Sequence, residues 1–249
     1  DILRVDGSIV TLTVEALGAA PIERAIMAGE RETGISIMDI TPKVDTGAVY
    51  LQRVVPIVED DDAGSMYEKL GRAGGEALAE VLEAIERGGM EPEPQDESAA
   101  TYVEKITPAD REIGWNRSAP EIAAQVRGLS PHIGAYTSIG EGHRLKVWKS
   151  IVAEVPAEAN QQAGSDVLDQ QPASEVPDQQ ADSEIPDRSA IMAVEPGGII
   201  IDGDRLFVRC GAGALELIEL QPEGKRRMAA ADFVRGHNRA IEAKRLGER

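Results

Sequence analysis

The spacing of apolar and polar positions divides the chain into segments of two periods. Residues 34–40 read Gly-Ile-Ser-Ile-Met-Asp-Ile, with apolar side chains at 35, 37 and 38, and suit a strand with one buried face. Residues 41–47 are a turn by composition, and 48–55 are a second strand candidate. Together they predict a hairpin with Asp45 in its connection. A helical period follows: Tyr67, Leu70, Ala77, Leu78, Val81, Leu82 and Ile85 share one face. Ser65-Met-Tyr-Glu68 before them fits a capping box, in which a hydroxyl and a carboxylate satisfy the free amides of a helix start. Gly88-Gly89 closes that helix. Gly74 and Gly75 within it each cost about 1 kcal/mol relative to Ala, which predicts close packing there.

Residues 91–97 (Glu-Pro-Glu-Pro-Gln-Asp-Glu) form a proline-rich connector and mark a domain boundary. Beyond it, Ser118-Ala-Pro-Glu121 is a second capping box opening a short helix to Arg127. Residues 144–152, 198–201, 205–209 and 214–220 are strand-like and separated by glycines, the pattern of a small β-barrel or sandwich. Residues 228–235 read as a closing helix. Among these strands, 169–177 (Asp-Gln-Gln-Pro-Ala-Ser-Glu-Val-Pro) is followed by a near copy at 178–186. This acidic, Pro/Gln/Ser-rich stretch holds too little apolar surface to offset its ordering entropy, so 155–190 is expected to be a disordered loop spliced into the second domain.

Charge refines this picture. The 249 residues carry 26 basic and 44 acidic groups, a net −18. That balance argues against a general nucleic-acid coat or an anionic membrane surface. The acidity is concentrated in the first hundred residues and in 154–188, whereas 222–249 holds eight basic groups against four acidic ones. A nucleic-acid partner therefore stays open for the C-terminal part. The single cysteine, Cys210, excludes an internal disulfide framework and a zinc site built on several thiolates, and points to the cytosol. No apolar run reaches the roughly 20 residues of a membrane helix. Aromatics at 3% argue against a base-stacking platform.

Few residues carry candidate chemistry. A carboxylate at Asp45, between Val44 and Thr46-Gly47, could orient a water, raise a neighbouring histidine's pKa or relay a proton. From spacing alone the plainer reading, a turn Asp accepting backbone N–H bonds, is favoured. His132, His143 and His237 have no partner at metal-ligand spacing and read as structural or exposed; no metal is expected. Cys210 reads as a small buried hydrophobe. Lys225-Arg226-Arg227 follows a turn at a helix start and could meet phosphates; the alternative is a solvated basic turn.

Taken in order, several segments resemble methionyl-tRNA formyltransferases. Gly18-Ala-Ala-Pro-Ile-Glu-Arg-Ala-Ile26 is similar to the start of a helix in that family. Glu32-Thr-Gly-Ile-Ser-Ile-Met38 with Val44-Asp-Thr-Gly47 resembles its active-site hairpin. Gln95-Asp-Glu97 with Thr101-Tyr-Val-Glu-Lys-Ile106 resembles its interdomain stretch. Ile113-Gly-Trp115, Pro131-His-Ile-Gly-Ala135 and Leu220-Gln-Pro-Glu-Gly-Lys-Arg-Arg-Met228 resemble successive parts of its C-terminal domain. The resemblance runs from about residue 18 to 236, apart from the insert. It implies an α/β fold, a partial doubly wound formyltransferase domain over 1–90, then a linker over 91–110. An OB-like β-barrel that helps hold tRNA would follow over 111–249. The implied reaction moves a formyl group from 10-formyltetrahydrofolate to the α-amine of methionyl initiator tRNA in the cytoplasm, by a monomer. In this scheme Asp45 is the catalytic carboxylate, and Lys225, Arg226 and Arg227 touch the tRNA.

The chain also departs from the family pattern. The family reads Asn-x-His-x-Ser-Leu-Leu-Pro-x-x-Arg-Gly before Ala-Ala-Pro-Ile. Here, aligned on Ser8, Arg4 stands at the Asn position and Asp6 at the His position, and the Leu-Pro loop is absent. A carboxylate beside Asp45 would repel a developing oxyanion that a histidine would stabilise. The abrupt onset of motifs at Gly18 implies a truncated formyltransferase, with residues 1–17 divergent or from a disturbed frame or wrong start. Most of the folate pocket would then lie upstream of Asp1, leaving the chain weakly active or inactive. An alternative is a non-catalytic tRNA-binding or vestigial protein. A formyltransferase acting on a sugar nucleotide or glycinamide ribonucleotide is disfavoured by the C-terminal motifs.

Overall fold

The computed structural model describes residues 3–5, 8–14, 17–18, 20–42, 45–96, 98, 100, 102–140, 142–153, 193–236 and 245–247. The expected disordered insert at 155–190, Asp6 and His237 lie outside the described residues.

The chain opens with β1 (Leu3–Val5), β2 (Ser8–Val14) and β3 (Leu17–Gly18). Helix α1 (Pro21–Ala28) begins with Pro at its first turn, where no N–H is needed, and ends at Gly29 with φ 76°. The expected hairpin follows as β4 (Glu32–Asp39) and β5 (Val49–Pro56), paired antiparallel with Ile37 opposite Leu51. The four-stranded sheet runs β1-β2-β4-β5, and every pairing in it is antiparallel. This corrects the doubly wound expectation for the described part. β1 and β2, and β4 and β5, are close neighbours in sequence and pair antiparallel, whereas a parallel pair needs a crossover.

Strand β4 is buried on both faces, and α2 (Ala63–Glu86) packs on the face that carries Ile35 and Ile37. Met66, Leu70, Ala77 and Val81 of α2 join Ile35, Ile37, Ile22 and Ile26 in one core. Each Ile, Leu, Val or Met side chain among them contributes about 1.5–3 kcal/mol on burial. The N-cap of α2 is Asp62, three residues before the Ser65 suggested by the sequence pattern. The Ser65 amide donates to Asp62 Oδ1 at 2.8 Å, and the Asp62 amide donates to Ser65 Oγ at 3.2 Å. An aspartate there claims the free amides one turn before a serine could. Gly74 is buried as expected, but a Cβ at Gly75 would meet nothing within 4 Å.

The 2-residue β6 (Tyr102–Val103) pairs parallel with β3. Short α3 (Pro108–Arg111) and α4 (Ala119–Leu129) follow. The second capping box forms as expected: the Ser118 amide and hydroxyl both donate to Glu121 Oε2, at 2.9 and 2.6 Å. Next come β7 (Ala135–Ile139), β8 (His143–Ala153), β9 (Ile199–Asp202), β10 (Arg205–Arg209) and β11 (Ala214–Pro222). β12 (Met228–Ala229) leads into α5 (Ala230–Gly236). Strand β7 has no counterpart among the strands expected from the pattern.

These strands form a six-stranded sheet ordered β7-β8-β11-β10-β9, with β12 beside β11. An OB-like barrel is not shown: among the described residues β7 and β9 do not pair directly, and the strands form no closed barrel. Other segments satisfy their edges. The Ile113 amide donates to Tyr136 O, the Gly247 amide to Ser138 O and the Leu246 amide to Gly197 O. A core of Trp115, Ile122, Leu129, Leu145, Phe233 and their neighbours lies between this sheet and α4.

The two cores meet where α1 crosses α4. A Cβ on Gly128 would lie 2.8 Å from Glu23 O, so only glycine permits that approach. The 91–110 stretch is pinned as well. Arg24 of α1 makes two bonds to Asp110, at 2.7 and 2.8 Å, and also donates to the carbonyls of Glu104 and Lys105.

Candidate functional site

Asp45 sits in the β4–β5 connection, as the alternation implied, and has a backbone φ of 56°. A non-glycine residue in this left-handed region carries strain, which Asp tolerates better than most. The loop is held from several sides. A Cβ on Gly47 would lie 1.8 Å from Asp39 O, so Gly47 packs directly on the backbone of β4. Thr41 and Thr46 share a 2.9 Å hydroxyl hydrogen bond. The Tyr50 hydroxyl donates to Asp39 Oδ1 at 3.0 Å, and burial followed by that carboxylate raises the phenol pKa. Gln95, from the connector, reaches across and donates to the carbonyls of Asp45 (3.1 Å) and Gly47 (2.7 Å).

The basic triplet lies elsewhere. Lys225, Arg226 and Arg227 are exposed in the turn between β11 and β12. The Arg227 guanidinium stacks 3.4 Å from the centre of the Trp148 ring and donates to Pro131 O at 2.6 Å. Trp148 Nε1 donates to Gln221 Oε1, and Gln221 Nε2 donates to Lys225 O, which ties the basic turn to β8. Gly134, with φ 83°, makes room for the indole: a Cβ there would lie 2.7 Å from it.

Period-two alternation along β8 puts Arg144, Lys146 and Trp148 on one face, opposite the buried Leu145 and Val147. Tyr136 of β7 pairs with Lys146. Arg144 lies 4.3 Å and Arg111 5.8 Å from the Tyr136 ring centre, and Lys146 lies 5.0 Å from that of Trp148. None of these four cations, Arg111, Arg144, Lys146 and Arg227, is in an ion pair among the described residues. Desolvation, then the charges of Arg111, Arg227 and Arg144, holds the Lys146 ammonium below its usual pKa. An anion placed here would relieve that repulsion. The sequence pattern pointed only to Arg227 of this face; the Arg144-x-Lys146-x-Trp148 spacing was the signal for Arg144 and Lys146, and Arg111 joins from α3 only through folding.

The structure does not bring Asp45 and the cation–aromatic face together. Pro131 packs against Gly64 at the start of α2, which follows the far end of β5. An eight-residue strand, roughly 25 Å long, lies between that end and the Asp45 loop.

The remaining candidates are structural. His132 meets Tyr67 edge-on at 6.1 Å, and His143 is exposed at the start of β8. Cys210 is fully buried, and burial pushes its thiol up to about 12. No cluster of three or more His, Cys, Asp or Glu able to hold a metal occurs among the described residues, and no helix among them is long and apolar enough to cross a membrane.

The family model "Formyl transferase, C-terminal domain" matches residues 105–238, and the model "Formyl transferase" matches residues 16–82. The chain therefore belongs to the formyl transferase family. Among curated relatives it is similar to the methionyl-tRNA formyltransferase of Rubrobacter xylanophilus, 40% identical over 88% of this chain and 61% of that protein. It is also similar to the methionyl-tRNA formyltransferase of Methylococcus capsulatus, 37% identical over 92% of this chain and 62% of that one. The chain thus spans about three fifths of the length of these relatives. Its fold is shared with HypX from Aquifex aeolicus, solved in complex with tetrahydrofolic acid. That match has a TM-score of 0.61 and 18% identity over 90% of this chain and 35% of HypX.

Proposed function

We propose that this chain carries the hairpin and the tRNA-holding part of a methionyl-tRNA formyltransferase. In this reading residues 1–90 belong to the catalytic domain, 91–110 are the linker, and 111–249 hold tRNA. The observation that carries it is a carboxylate pinned in a strained hairpin, on the same chain as a face of cations and aromatics. The formyl donor is 10-formyltetrahydrofolate, and the acceptor is the amine of methionyl initiator tRNA. Asp45 takes the proton released as the amine attacks and supports the tetrahedral intermediate. Lys225, Arg226 and Arg227, with Arg111, Arg144 and Lys146 beside them, contact the tRNA backbone as charges and forks. The separation of that face from the Asp45 loop, which stands at the other end of the eight-residue β5, suits a substrate held at one place and formylated at another. The place of action is the cytoplasm, and the chain works as a monomer.

A second reading, a tRNA-binding protein without catalysis, is favoured by Arg4 and Asp6 at the positions where the resemblance puts Asn and His. One measurement tests the tRNA surface that both readings share, and a second separates them. Filter binding of methionyl initiator tRNA over a salt series should show at least a tenfold loss of affinity when Lys225, Arg226 and Arg227 are each changed to Glu. The salt slope should also become shallower, by about 0.9 for each phosphate no longer neutralised. Unchanged affinity and slope would reject the assigned surface. In a formyl-transfer assay residues 1–249 are expected to give no detectable product, because the resemblance aligns Asp6 with the position where the family has a histidine donor. Measurable turnover would establish the enzyme reading and remove the non-catalytic one.

A further inference from the structure

We propose that Gln95 is the positioning residue of the Asp45 loop. This inference takes its purpose from the catalytic reading of Asp45, but its geometry stands by itself. The side-chain nitrogen of Gln95 carries two hydrogens. It uses them on two carbonyls that flank Thr46: Asp45 O at 3.1 Å and Gly47 O at 2.7 Å. The same nitrogen lies 3.8 Å from Met38 Sδ, which seats it against the buried end of β4. Its own backbone is anchored two residues earlier, where Glu93 and Val49 exchange hydrogen bonds of 2.7 and 2.8 Å. The connector thus acts as a strap laid over the start of β5 and tied to the loop by one amide.

The loop has reason to need a strap. Asp45 has a φ of 56°, a conformation that persists in a non-glycine residue only when its surroundings determine it. Gly47 lies so close to the Asp39 carbonyl that an added Cβ would lie 1.8 Å from its oxygen. Among the described residues, release of the two carbonyls would let the Asp45–Thr46 backbone relax towards negative φ. That change would swing the Asp45 Cβ, and its carboxylate, away from their present direction. A group that handles a proton must be held within a fraction of an ångström of its working position. Gln suits this position by its donors and its length. Glu presents no hydrogen to a carbonyl at neutral pH, Leu presents none at any pH, and Asn falls short by one methylene.

The test uses the isotopically labelled 249-residue chain and reads the 13C and amide shifts of Asp45, Thr46 and Gly47 by NMR. In the Gln95→Leu variant the left-handed shift signature of Asp45 should be lost, while the shifts of β7–β11 stay in place. The Gln95→Glu variant should lose it at pH 7. It should recover in part as pH falls through the ordinary carboxyl range near about 4.3, because the protonated acid regains one donor. Unchanged Asp45 and Gly47 shifts in both variants would overturn the proposal. Loosening of the Gln95→Glu loop without recovery at low pH would also overturn it, since the protonated acid has the shape of the amide and offers a donor in the same place. The shifts read the loop whether or not formyl groups move, so a failed transfer assay leaves this result independent.

Discussion

At the scale of single residues, burial and hydrogen bonding decide what each functional group can do. Cys210 has no exposed surface, and its thiol lies near 12, far above the usual range. At pH 8 almost no thiolate forms, so the folded chain is expected to resist alkylation, and modification should follow unfolding. Mass spectrometry of iodoacetamide-treated protein, with and without denaturant, checks this; full native alkylation within minutes would contradict it. Asp45 was legible because turn composition between two alternating runs puts it at a hairpin end. Gln95 was not legible as its partner: the two are fifty positions apart, and only folding brings the connector across the loop. Trp148 and its cations show the same split. Their alternation is written in β8, but the stacking of Arg227 on the indole depends on the β8–β11 register.

At the scale of elements, local signals are plain in the chain and their partners less so. Both long helices carry caps visible in the sequence, though α2 begins three residues earlier than its serine suggested because Asp62 reaches the free amides first. The connector, which reads as a loose linker, is held by Arg24. Its bonds to Asp110, with those from Thr107, hold that carboxyl well below the ordinary range. A depressed carboxyl stabilises the fold above its unfolded pKa of about 3.9, and that contribution fades as pH falls below it. Asp110→Asn should therefore cost about 1–2 kcal/mol at pH 7. The gap from the unchanged protein should narrow steadily between pH 4 and pH 2. Urea unfolding at several pH values measures it, and a gap that is the same at pH 3 as at pH 7 would refute the pairing.

At the scale of the whole molecule, two apolar cores meet at the α1–α4 crossing. The C-terminal core is the larger and contains Trp115, Phe233 and the long β8–β11 pair. The N-terminal core rests on a four-stranded sheet and two helices. Residues 105–249 are accordingly expected to fold better alone than residues 1–90. Limited proteolysis and far-UV circular dichroism of the two pieces test this. Loss of the C-terminal core before the N-terminal one would reverse it.

Alternation and capping residues alone determined the β4–β5 hairpin, the α2 and α4 helices, most strands of the second sheet and the place of Asp45. These features depend on neighbours a few residues apart, and that range is written in the chain. Tertiary structure alone decided the antiparallel order of the first sheet, the bridging of β7 and the start of β9 by residues 245–247, the strap of Gln95 and the four-cation face. Each of these depends on which distant segments pack together, and many pairings share the same local pattern until a common core selects one of them.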